Sequence, residues 1–148
     1  MKNKIDHIVI FGISFIFPVL VCIAMGCLFN YNSYDVSSFE GIEVSKTLLG
    51  TWATLLGFIV TAESILITMG GKEYIKAFKE SKHYKTVLLT YFSTSFVLLS
   101  ATIFSAIVIC MQIWNVILFY IFIYLLISIF LLLFFCILFL FFMVYKSI

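Results

Sequence analysis

Four long apolar blocks divide the chain, at 8–29, 48–69, 87–112 and 116–144, with polar residues gathered between them. Each exceeds the length of about 18 residues needed for a helix to cross a bilayer. None alternates apolar and polar positions as a membrane barrel strand does. Helices are therefore expected, because each then satisfies its own backbone polar groups inside lipid. The connections are short, so residues 1–148 are expected to form a single all-α integral membrane domain of four transmembrane helices.

The second block is the least uniform. In TLLGTWATLLGFIVTAESILITMGG, residues 47–71, positions 50, 54, 57, 61, 64 and 68 are Gly50, Thr54, Gly57, Thr61, Ser64 and Thr68. Steps of four and three put them on one continuous stripe of a helix. Small residues let membrane helices approach closely, and hydroxyls bond across such contacts or back to their own helix. The stripe is expected to pack against another helix inside the protomer; lining an aqueous path is the functional alternative. The third block has a similar half-wheel in Thr90, Ser93, Thr94, Ser100, Ala101, Ser105 and Gln112. The fourth is Leu, Ile and Phe almost throughout, with Ser128, Tyr120 and Tyr124 as exceptions. This pattern places helices 2 and 3 at the centre and helix 4 as a lipid-facing wall.

Glu63 stands about 137° from the centre of the stripe on the helical wheel, on a face shared with Trp52, Leu56, Ile59 and Ile67. An ionised group at the bilayer centre costs at least about 2.5 kcal/mol, and intramembrane acids mark functional sites. Glu63 precedes Gly70 by seven residues, about 10 Å from that boundary, within reach of a pairing with Lys72. Three readings follow: a paired or neutral carboxyl inside the bundle, a ring of glutamates in an oligomeric pore, or a proton or cation site.

Charge adds an orientation. All nine basic residues are lysines. Lys2 and Lys4 precede the first block, Lys72, Lys76, Lys79, Lys82 and Lys85 lie between the second and third, and Lys146 follows the fourth. Lys46 alone lies in the first connection, beside Asp35, Glu40 and Glu43. The positive-inside rule then places both termini and the 71–86 loop in the cytoplasm. Tyr31, Tyr34, Trp52, Trp114 and Tyr145 are expected as interfacial anchors. The loop GKEYIKAFKESKHYK sets Ile75 and Phe78 against lysines. It reads either as a short amphipathic segment on the inner membrane surface or as an extension of a neighbouring helix. Its lysines and His83 are the natural contact for a cytosolic sensor or nucleoprotein partner. Five lysines against two glutamates do not make a nucleic-acid surface.

Composition narrows the class further. The chain is 64% hydrophobic and 11% charged, with a mean hydropathy of +1.22, far from the balance of a soluble domain. Cys22, Cys27, Cys110 and Cys136 all fall inside spans, where a thiol packs as a small apolar group; no disulfide and no metal-ligand spacing is expected. His7 and His83 stand alone. The first block is too long for a signal-peptide core and is expected to remain as a helix, kinked at Pro18. No phosphate loop, metal motif or nucleophile–base pair is present, so neither an enzyme nor a cofactor is expected.

The stretch from 48 to 98 orders LLGTWATLLGFIVTAESILITMG, then KEYIKAFKESKHYK, then VLLTYFSTSF. It resembles the small multi-span membrane effectors of bacterial antiphage defence systems, especially those encoded beside retrons. Those proteins pair a Gly/Thr/Ala-rich helix with a short charged linker, here Ser81-Lys82-His83-Tyr84, and a hydroxyl-bearing next helix. The resemblance implies a multi-pass protein of the bacterial inner membrane. Once triggered by infection, such a protein would disrupt or depolarise that membrane, acting as a homo-oligomer. The resemblance assigns no role to any single residue. A proton- or cation-coupled transporter or channel using Glu63, and a non-conducting anchor subunit, are the other readings of the residues.

Overall fold

The computed structural model describes residues 2–32, 40–68 and 84–145, with side chains at 9–28, 40–68 and 84–141. It is all-helical: α1 is Lys2–Asn32, α2 Gly41–Thr68, α3 Tyr84–Met111 and α4 Val116–Tyr145. All four helices are long and apolar enough to cross a membrane. Most of the 71–86 loop, including Lys72, Lys76, Lys79, Lys82 and His83, lies outside the described residues; Lys85 is exposed on the first turn of α3.

The extensive contacts run α2 to α3, α3 to α4 and α4 to α1. The middle helices are therefore α3 and α4. This corrects the expectation that α4 forms an outer wall. An almost purely apolar helix has no polar side to reveal its buried one. On α4 the buried face is Phe119, Phe122, Ile129, Leu132 and Cys136, while Ile117, Phe130, Ile137 and Phe141 point out.

On α3 the buried positions Val87, Tyr91, Thr94, Leu98, Ala101, Ser105 and Val108 repeat at steps of four and three. That is the seam spacing of left-handed helix packing. Buried Ser45, Trp52, Ile59 and Leu66 recur every seven residues on α2. Trp52 is 3% exposed and its ring packs 5.4 Å from that of Phe122, so it belongs to the core of the bundle.

The α3–α4 turn is built from local hydrogen bonds. Gln112 ends α3 in the left-handed region, at φ 52°. Its backbone N–H reaches the Val108 carbonyl at 3.1 Å and its amide donates to Ile109, as at a helix C-terminus. Gln112 is exposed and terminates the helix, so it does not extend the polar face expected for α3. Asn115 caps α4, its Oδ1 accepting the Leu118 N–H at 2.9 Å. Trp114, within the turn, packs edge-on to Phe119 and Phe122 and lies directly on Gly41; a Cβ there would collide with the indole. This contact ties the start of α2 to the α3–α4 turn.

Helix α1 runs on through Pro18, and its fully buried residues among those described are Ser14 and Pro18. It lies antiparallel to α4. The Cys22 thiol points at the Tyr120 carbonyl, 3.7 Å away, and Gly26 faces the Tyr120 ring.

Candidate functional site

Glu63 is half-buried and turned into the α2–α3 contact. Ser95 Oγ lies 3.4 Å from Glu63 Oε2 and 3.2 Å from the Tyr91 carbonyl, so its single hydrogen serves two acceptors. The Tyr91 ring is 1% exposed, and its hydroxyl donates across to the Cys136 carbonyl of α4 at 3.2 Å. Thr94 donates to the Thr90 carbonyl at 2.7 Å. Its hydrogen is thus committed, which makes the Cys136 thiol the donor in the 3.3 Å Thr94–Cys136 contact. Glu63, Ser95, Tyr91, Thr94 and Cys136 form one polar layer across α2, α3 and α4.

Ser95 lies about 16 Å along α3 from Tyr84, and Cys136 about 14 Å along α4 from Tyr145. The described neighbours of Glu63 supply hydroxyls and no cation; the ion pair among the described residues is Lys46–Glu43, at 2.6 Å on the surface of α2. Lys72 lies outside the described residues.

The small-residue stripe is where the expectation and the structure part. Gly50, Thr54, Gly57, Thr61, Ser64 and Thr68 are all exposed, and Cβ atoms added at Gly50 or Gly57 would meet nothing within 4 Å. The stripe is on the outside of the protomer, and the carboxylate face is the packed one. The sequence pattern pairs the small face of helix 2 with the small face of helix 3. The structure instead turns the bulky face of α2, with Trp52, Leu55, Leu56, Ile59 and Leu66, inward, and on α3 buries Thr90, Thr94, Ala101 and Ser105 together with Tyr91, Val97 and Leu98. Large side chains entering gaps beside small ones make more dispersion contacts than two smooth faces do. Of the other residues expected on α3, Ser93 and Ser100 are half-buried and line a cleft of about 490 Å³ with Phe15, Phe96 and Tyr124.

The hydroxyls of the outer stripe are saturated from within. Thr47, Thr51, Thr54, Thr61, Ser64 and Thr68 each donate to the carbonyl four residues back, at 2.8–3.3 Å. Such back-bonding lets a hydroxyl sit in an apolar medium.

Sequence reasoning missed Tyr91, Ser95 and Cys136. Tyr91 was within reach, since a tyrosine on a four-three seam must find its hydroxyl a partner when buried. Ser95 and Cys136 gain their role from contacts between helices that no spacing in one helix encodes. Among the described residues no three His, Cys, Asp or Glu side chains gather. No known protein family, curated protein or solved structure matches the chain.

Proposed function

We propose that this chain is a multi-pass protein of the bacterial inner membrane that self-associates and, when triggered, permeabilises or depolarises that membrane as an effector of antiphage defence. The observation that carries self-association is the outer face of α2. Two glycines and four hydroxyl residues lie exposed in a line on a bundle that also exposes many large Ile, Leu, Val and Phe side chains. Faces of small residues are the ones on which membrane helices approach each other closely. The defence setting draws on the resemblance of residues 48–98, and the lysine distribution supports cytoplasmic termini. The 71–86 loop, with Lys85 exposed at its end, is then the surface offered to a cytosolic partner.

Expression with its trigger should collapse the membrane potential, read with a potential-sensitive dye, and stop growth. Arrested cells with an unchanged potential would overturn this reading and favour an anchoring subunit. A second reading, proton- or cation-coupled transport, is favoured by the half-buried Glu63 carboxylate and its contact with Ser95 between two apolar helices. It predicts flux in liposomes that disappears in Glu63→Gln.

A further inference from the structure

The hydrogens around Glu63 do not add up when its carboxyl is ionised. The Ser95 hydroxyl has one hydrogen for two acceptors, Glu63 Oε2 at 3.4 Å and the Tyr91 carbonyl at 3.2 Å. A well-made O–H···O bond is about 2.7–2.8 Å long, so both contacts are stretched. A proton on the carboxyl turns it into a donor. Glu63 then gives its hydrogen to Ser95 Oγ, and Ser95 gives its own to the Tyr91 carbonyl. Each acceptor has one hydrogen.

No other described group supplies that hydrogen. The Tyr91 O–H goes to the Cys136 carbonyl, the Thr94 O–H to the Thr90 carbonyl, and the Cys136 thiol lies against Thr94. Tyr91 and Cys136 are the titratable groups that α3 and α4 bring to this layer among the described residues. The charged side chains described on the packed helices are distant. Lys85 is about 15 Å from Ser95 along α3, and Lys46, Glu43 and Glu40 lie at least about 25 Å from Glu63 toward the start of α2. The site does not suit a metal ion either. A hard cation such as Ca²⁺ or Mg²⁺ takes about six or more oxygens. Here the described partners are one hydroxyl and, behind it, one carbonyl.

We propose that the Glu63–Ser95 contact is a proton-binding site, and that the proton reverses its hydrogen bond: ionised Glu63 accepts from Ser95, and neutral Glu63 donates to it. The proton comes from water and is held on Oε2; no other bond breaks. This deepens the reading of Glu63 as a coupling group, on which it rests, and names the coupled ion as the proton.

The test is infrared spectroscopy of the full chain in lipid bilayers, titrated from alkaline to acidic pH. A neutral carboxyl has a C=O stretch that an ionised one lacks. Acidification should raise one such band that is missing in Glu63→Gln. Ser95→Ala removes the acceptor and should move the band to higher frequency, while Ser95→Thr keeps the hydroxyl and should leave it in place. Exchange of sodium for potassium or calcium should not change it. No difference between the unaltered chain and Glu63→Gln at any pH would overturn the proposal by showing a carboxylate held ionised. A band abolished by one of the cations, or unmoved in Ser95→Ala, would overturn it as well. Flux in liposomes is read separately. The expected band without Glu63-dependent flux keeps the proton site and removes coupled transport; Glu63-dependent flux without the band keeps transport and removes the proton.

Discussion

The two faces of α2 are equally regular and have opposite fates. Ser45, Trp52, Ile59 and Leu66 repeat every seven residues and are buried inside the bundle. Gly50, Thr54, Gly57, Thr61, Ser64 and Thr68 repeat at four and three and lie exposed on the outside of the protomer. Regular spacing therefore marks a face built for contact without saying with what. The face turned inward is the one with the larger side chains, which fill the interior with more dispersion contacts than glycines and threonines could make.

The sharpest way to break this comparison is to truncate each side. Leu98→Ala removes a side chain with no exposure from the core and should cost about 2–5 kcal/mol. Phe58→Ala, 68% exposed on α2, should change stability by less than about 0.5 kcal/mol. Reversible unfolding in mixed micelles measures both, and equal losses would mean that the packed face has been misassigned.

Enlarging small residues is the next test. Ala101→Leu, at a fully buried position of α3, should overpack the core by about 1–3 kcal/mol. Gly57→Leu has open space before it. It should leave protomer unfolding unchanged and reduce self-association at least about tenfold, read by crosslinking against detergent dilution.

The carboxylate layer should respond more weakly. A hydrogen bond between membrane helices averages about 0.6 kcal/mol, so Ser95→Ala and Glu63→Gln should each shift stability by less than about 1 kcal/mol. Lost flux or depolarisation at unchanged stability would assign the layer to function. Lost stability at unchanged activity would assign it to packing. The smallest effect belongs to the exposed Lys46–Glu43 pair: Glu43→Gln should cost no more than about 0.5 kcal/mol, and the difference should vanish in about 1 M salt.

Much of this fold was legible in the sequence. Four apolar blocks longer than a bilayer crossing give four helices, because no other arrangement of an open chain satisfies its backbone in lipid. The short connection at Gln112–Asn115 leaves α3 and α4 no choice but to pack antiparallel. The coupling of Glu63 to Ser95, and of Tyr91 and Thr94 to Cys136, was not legible. Each pair lies on different helices, and hydropathy is silent on how helices are rotated about their axes.

Sequence alone thus determined the number and class of the helices, and that α2 carries two specialised faces, since periodicity is a property of a single helix; α1 and α2 extend beyond the apolar blocks, to Lys2–Asn32 and Gly41–Thr68. The order of the helices, the burial of α4, the inward turn of Glu63 and the outward turn of the glycine-threonine stripe were decided only in the tertiary structure. Inside a bilayer every helix is already surrounded by apolar material, so the partner of a face is chosen by the fit of side-chain shapes between helices, and that fit is a property of pairs.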